Sequence, residues 1–267
     1  NGDGFDDIII GARGGDDGGS GTGESYVVFG TDQGFGTDVS GRQVIDLSSL
    51  SAAQGFIIQG DGDGDLLGYS VSTAGDVNGD GFDDLIVGAP DWDNADGNNA
   101  GRSYIILGGD TGFGVNVSGR QVIDVSNLSD TQGFIIEGDT APDVLGRAVS
   151  SAGDVNNDGY DDLIVGIPGE DLKRNGKQIV DAGAVLVLYG SSGTGLKHNG
   201  HRYFSEASLP GVDLPRKGMR FGFSLATGYF NNDNKMDLAI GSGSTQKAKS
   251  NKYVSTPKIN GSVSVIY

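Results

Sequence analysis

Three separate segments of this 267-residue chain return at a single spacing. Phe56-Ile-Ile-Gln-Gly60 recurs as Phe134-Ile-Ile-Glu-Gly138, Ser40-Gly-Arg-Gln-Val-Ile-Asp46 as Ser118-Gly-Arg-Gln-Val-Ile-Asp124, and Asp76 as Asp154, each 78 residues on. Register held over so long a stretch means a tandem structural unit, and a period of this size restricts the chain to repeat architectures. Within the middle unit four short apolar runs read as strands: Leu67 to Gly75, Leu85 to Gly88, Ser103 to Gly108 and Phe134 to Gly138. Clusters of Gly, Asp and Asn punctuate them. Glycine makes up 49 of the 267 residues with no Gly-X-Y period, which excludes collagen and fits strands joined by tight turns. A four-stranded unit cannot bury both faces alone, and its tandem repetition predicts an all-β fold, a β-propeller of four-stranded antiparallel blades. The predicted repeats run approximately over 1–66, 67–144, 145–220 and 221–267. Val115 to Asp130 reads as an insertion before strand four. The units carry three, four, four and three strands, which predicts a segment of a longer propeller.

The first two strands of each unit are joined by an acidic loop. Two copies are complete: Asp76-Val-Asn78-Gly-Asp80-Gly-Phe82-Asp-Asp84 and Asp154-Val-Asn156-Asn-Asp158-Gly-Tyr160-Asp-Asp162. Side-chain oxygens at alternate positions, a glycine turn and a closing carboxylate match what a hard cation such as Ca²⁺ requires. The predicted ligands are Asp76, Asn78, Asp80, the Phe82 carbonyl and Asp84, and then Asp154, Asn156, Asp158, the Tyr160 carbonyl and Asp162; a backbone donor means that any residue type suits the positions of Phe82 and Tyr160. Asp83 and Asp161 count as spacers facing solvent. Weaker copies are Asn1, Asp3, Phe5 and Asp7 in the first unit, and Asn231, Asp233 and Asp237 in the fourth, where Tyr229 replaces the first carboxylate and Asn234 the glycine. The competing reading is an Asx-turn hairpin without metal; three carboxylates in nine residues repel one another unless a cation intervenes. An EF-hand is disfavoured because Val87 and Val165 stand where its bidentate Glu belongs, and Mg²⁺ because it retains several waters.

Charge and composition exclude other classes. A formal net charge of −18 opposes nucleic acid and anionic lipid at long range. The absence of cysteine removes disulfides, thiolate zinc sites and cysteine nucleophiles. No apolar stretch approaches the ~20 residues of a membrane span, so no membrane insertion is expected. No metalloprotease helix motif, phosphate loop or nucleophile elbow is present, and the expectation is no enzyme and no catalytic residue.

These elements resemble the FG-GAP repeats of the integrin α-subunit N-terminal propeller, in a style similar to integrin-α-like proteins of bacteria. The Phe-Gly element is Phe221-Gly222, with Leu67-Gly68 and Leu145-Gly146 in its place; the Gly-Ala-Pro element is Gly88-Ala-Pro90, varied to Gly166-Ile-Pro168, Gly11-Ala-Arg13 and Gly241-Ser-Gly243. The resemblance covers nearly the whole chain, although strand four of the third unit, near His201 to Glu206, is hard to place. It implies a calcium-stabilised propeller of about seven blades, extracellular or at the cell surface, serving adhesion or protein recognition. It places a protein or glycan ligand on the face opposite the acidic loops, at Gly60 to Leu66, Ala89 to Gly101, Gly138 to Val144 and Pro168 to Gly183. The alternatives are an accessory propeller of a secreted, phospholipase-like hydrolase and a carbohydrate-binding propeller. On that face Trp92 reads as an anchor or as blade packing. Asp61, Asp63 and Asp65 read as a second cation site, as an acidic patch on the ligand face, or as a mobile acidic connector, the reading favoured because the parallel segment Asp139 to Asp143 keeps only the outer two acids. His198 and His201 lack a third metal ligand.

Overall fold

The computed structural model describes residues 1–95, 97–193, 195–196, 201–208, 217–231, 233, 236–243 and 262–266. It is an all-β propeller whose antiparallel blades follow the sequence period. The first blade contains Ile8–Ala12, Glu24–Val28 and Gly55–Gln59. The second contains Ser70–Gly75, Asp84–Ala89, Arg102–Ile106 and Gly133–Glu137. The third contains Val149–Gly153, Asp162–Ile167, Ala184–Leu188 and Arg202–Phe204. The last of these is the strand that sequence alone could not place. The fourth blade contains Phe221–Gly228, Asp237–Ser242 and Ser262–Ile266.

The core lies between blades, because strands buried on both faces must each meet a neighbour. Val27, Phe56 and Ile58 of the first blade pack with Leu67, Val87, Tyr104 and Ile106 of the second. Ile86 and Ile105 of the second meet Leu145, Val149 and Val165 of the third, and Ile164 and Val187 of the third meet Phe221, Leu238 and Ile240 of the fourth.

The two motif glycines are points of close approach between blades. A Cβ on Gly11, Gly88 or Gly166 would stand 2.1, 2.0 or 2.1 Å from the carbonyl oxygen of Gly68, Gly146 or Gly222 in the next blade. The residue before each of these partner glycines forms a parallel bridge across the same junction: Gly23 with Leu67, Gly101 with Leu145, and Gly183 with Phe221. The Phe-Gly element of one blade is therefore seated, backbone on backbone, against the Gly-Ala-Pro element of the blade before it.

The segment expected as an insertion is a strand of the neighbouring blade. Arg120–Asp124 lies parallel to Gly55–Gln59, with Val122 opposite Ile57, Ile123 opposite Ile58 and Asp124 opposite Gln59, and its hairpin partner Val115–Val117 lies outside it. Val122 packs with Tyr26, Val28, Leu50 and Ile57, and Arg120 pairs with Asp17 at 2.9 Å. The second repeat thus straps the outer edge of the first blade, covering a row of backbone groups that would otherwise template further pairing. Replacing Val122 with Asp places a charge in that cluster and is expected to release the strap. The amides of Phe56 to Gln59 should then exchange with deuterium faster, while those of Tyr104 to Ile106 keep their protection; equal loss at both places would mean the strap is not a separate device.

Candidate metal centre

Each complete acidic loop is organised around its first carboxylate. Asp76 Oδ1 accepts the backbone N–H groups of Gly79 at 2.7 Å and Asp80 at 3.1 Å, and Oδ2 accepts that of Gly81 at 2.9 Å. Asn78 Oδ1 accepts from Asp80 N at 2.8 Å and Asp80 Oδ1 from Phe82 N at 2.9 Å. The third blade repeats the plan: Asp154 accepts from Asp158 N at 3.0 Å and Gly159 N at 2.9 Å, and Asp158 Oδ1 from Tyr160 N at 3.2 Å. These are nested Asx turns. Part of the mutual repulsion expected among the carboxylates is offset by amide donors before any metal is considered.

In the second, third and fourth blades the closing carboxylate is fully buried. Asp84 is fully buried, with Oδ2 accepting from Val77 N at 3.0 Å and Oδ1 from Gly108 N at 2.8 Å. Asp162 does the same with Val155 N and Gly190 N, each at 2.9 Å. Asp7 accepts from Gly30 N at 2.8 Å, and Asp237 from Phe230 N at 2.7 Å. This residue ties the loop to the end of strand three in the first three blades. Burial pushes the Asp84 carboxyl up to about 7 and the Asp162 carboxyl up to about 6, against the pull of those amide donors. A divalent ion beside them would draw both back towards ionisation.

Two expectations are corrected. Asp161 does not face solvent as a spacer: its Oδ2 accepts from Asp76 N at 3.0 Å, and its own N–H donates to Asp76 O at 3.1 Å, which joins the loops of neighbouring blades. Asp83 is exposed as expected. Nor is the side chain at the carbonyl-donor position arbitrary. A Cβ on Gly79 would lie 2.5 Å from the Tyr160 ring, and one on Gly2 would lie 2.5 Å from the Phe82 ring, so each aromatic ring covers a glycine of the preceding loop. The alternation of aromatic and glycine was visible in the sequence; the contact spans a full repeat.

The donor set suits a hard cation: oxygen only, at alternate loop positions, with Asp76 and Asp154 half-buried and Asp80 and Asp158 exposed. As arranged, the loop acids do not bring three carboxylate oxygens within 4.8 Å of one another among the described residues. Gathering around an ion requires side-chain rotation away from the amides within a loop whose backbone is already closed. In the fourth blade Asn231 Oδ1 accepts from Asp233 N at 2.7 Å, and Tyr229 is 65% exposed; Asn234 and Lys235 lie outside the described residues. In the first blade Asn1 Oδ1 accepts from Asp3 N, and Asp3 Oδ1 from Phe5 N.

At the other end of the strands, Trp92 is half-buried with the Arg102 guanidinium 3.7 Å from its ring centroid, which favours the packing role. Asp65 is only 7% exposed, and Asp63 accepts from Ser20 N at 3.0 Å, so this acidic stretch is built into the blade and is not a mobile connector. His201 is exposed and His198 lies outside the described residues.

The model of the FG-GAP repeat matches residues 67–106 and 145–188, the inner three strands and acidic loop of the second and third blades. The chain is an integrin-α-like FG-GAP repeat protein. It is 33% identical over 217 residues to integrin alpha-PS2 of Drosophila melanogaster, covering 79% of this chain and 14% of that protein. It is 28% identical over 198 residues to human integrin alpha-6, covering 74% and 14%. It is also 32% identical over 178 residues to the phosphatidylinositol-glycan-specific phospholipase D of Bos taurus, covering 66% and 18%. The FG-GAP chain thus spans less than a fifth of the length of these relatives. Among its described residues no helix is long and apolar enough to cross a membrane.

Proposed function

We propose that this FG-GAP segment is a calcium-binding, non-catalytic recognition module that works in adhesion or protein binding, outside the cell or on its surface. The observation that carries the reading is the pair of complete acidic loops, each with its backbone closed around a central carboxylate and its remaining oxygens at alternate positions. Asp76, Asn78, Asp80, the Phe82 carbonyl and Asp84 would hold one ion, and Asp154, Asn156, Asp158, the Tyr160 carbonyl and Asp162 another. The loops of the first and fourth blades are weaker candidates. Asp161, Tyr160 and Phe82 link neighbouring loops, so fixing one loop also stiffens the junction between blades. Calcium is structural in this reading: at tenfold excess over Kd each site adds about 1.4 kcal/mol. The protein or glycan partner docks on the opposite face.

Thermal melts in calcium and in chelator test this. The melting temperature should fall on chelation, and the fall should shrink in Asp80→Ala and again when Asp158→Ala is added. A chelator-insensitive melt of the wild-type chain would remove calcium from the account.

The similarity to a phospholipase D over 66% of the chain supports a second reading, an accessory propeller attached to a hydrolase. Flanking sequence separates the two: further repeats and adhesion modules favour the first, a catalytic domain the second.

A further inference from the structure

A second acidic cluster lies at the end of the third blade away from the calcium loops. Asp139 and Asp143 come from the segment that enters the blade, and Glu170 follows its second strand. One carboxylate oxygen from each lies within 4.8 Å of the other two. Asp143 is 3% exposed, and its Oδ2 has no hydrogen-bond partner. The backbone holds the group in place: Gly169 N donates to Asp143 O at 2.9 Å, and Gly183 N to Glu170 O at 2.9 Å.

The second blade shows how the same place is otherwise neutralised. Gly101 N donates to Trp92 O at 3.0 Å as Gly183 N does to Glu170 O, so Trp92 and Glu170 are equivalent positions. Asp61 and Asp65 correspond to Asp139 and Asp143 at the 78-residue spacing. Ala89 pairs with Arg102 where Ile167 pairs with Ala184, so Arg102 and Ala184 are equivalent too. In the second blade the Arg102 guanidinium ion-pairs with Glu137 at 2.6 Å, stacks on Trp92 and bonds the Tyr104 hydroxyl at 3.2 Å; that hydroxyl donates to Asp61 at 3.4 Å, and the guanidinium charge reaches Asp65 through space. Burial and Asp61 push the Asp65 carboxyl up, to about 6, and Arg102 draws it back. The third blade has exchanged the guanidinium for a methyl group and the indole for a third carboxylate. Among the described residues no Lys or Arg forms an ion pair with any of the three acids.

We propose that Asp139, Asp143 and Glu170 form a further divalent-cation site, of the hard, oxygen-liganded class that takes Ca²⁺, in which the bound ion occupies the role that Arg102 fills in the preceding blade. Three close carboxylates without a built-in cation repel one another, and a buried oxygen without a donor loses its hydration unrepaid. An ion coordinated by all three removes both penalties and completes its shell with water or backbone carbonyls. The site is independent of the Asp76 and Asp154 loops, which lie at the opposite ends of the strands.

Equilibrium dialysis of the whole chain against calcium alone tests the assignment. The starting protein carries Asp80→Ala and Asp158→Ala, which weaken the loop sites. It should retain calcium binding that Glu170→Gln weakens by at least about tenfold, as the loss of one ligand charge implies. The exposed Asp139→Asn serves as a second variant that leaves the buried part of the cluster intact, and it should weaken binding in the same direction. Each variant is checked for a cooperative melt in chelator. If the doubly substituted protein binds no calcium, or if neither further change alters its affinity, the cluster holds a shared proton and the proposal fails, while the loop reading stands. If Asp80→Ala and Asp158→Ala leave all binding unchanged but Glu170→Gln abolishes it, the cluster is the calcium site and the loop reading fails.

Discussion

Replacing Asp84 with alanine is expected to destabilise the propeller in chelator as well as in calcium. Both oxygens of this fully buried carboxylate serve the amides of Val77 and Gly108, at 3.0 and 2.8 Å. Removing it leaves two donors without partners in a closed space, at about 1–3 kcal/mol each, and opens a small void besides. A total of about 3–5 kcal/mol is a large part of the stability of an ordinary domain. Asp80→Ala should behave differently, because Asp80 is exposed and holds only loop amides; its effect should appear chiefly in calcium. Urea unfolding of both variants, with and without chelator, separates a structural closing residue from a simple ligand. If Asp84→Ala matched wild type in chelator, the two amide bonds would contribute nothing and the residue would act through metal alone. Asp162→Ala should follow Asp84→Ala, since its bonds to Val155 and Gly190 are the same length, 2.9 Å.

The second large effect is expected at Gly88. A methyl group there would sit 2.0 Å from the Gly146 carbonyl oxygen and 2.4 Å from Ser70 Oγ. The nearer obstacle is backbone of the next blade, so no rotamer change relieves it, and the second and third blades must separate. Overpacking of this kind costs about 3 kcal/mol or more where the neighbour cannot yield. Gly81→Ala provides the contrast. Its φ is +92° with no atom within 4 Å of the added methyl, so only backbone strain opposes the change, at about 1 kcal/mol. The denaturant midpoint of Gly88→Ala should therefore fall well below that of Gly81→Ala. Equal midpoints would mean that contact between the motif glycines does not hold the blades together.

Much of this architecture was legible from one sequence. The 78-residue spacing, the short apolar runs and the oxygen-rich loops are local patterns, and each describes what a residue does with its immediate neighbours. They led to the three, four, four and three blade strands, and to loops closed by Asp84 and Asp162. Three of the misreadings share a cause: they concern partners in another repeat. Asp161 looked like a spacer because its acceptor role is towards the backbone of Asp76, and Phe82 and Tyr160 looked interchangeable because the glycines they cover belong to the preceding loops. Val115 to Asp130 looked like an insertion because its pairing strand, Gly55–Gln59, belongs to the previous blade.

The order of residues alone determined the repeating unit, its strands and the oxygen donors of its loops, since hydrogen-bond pattern, pleat and turn chemistry act over a few residues. Only the packed molecule decided which blade the strap covers, which glycines touch, and that Asp139, Asp143 and Glu170 meet without a counter-charge. Those outcomes depend on how whole blades are spaced and rotated against one another, a distance set by every side chain at the junction together and written in no single stretch of chain.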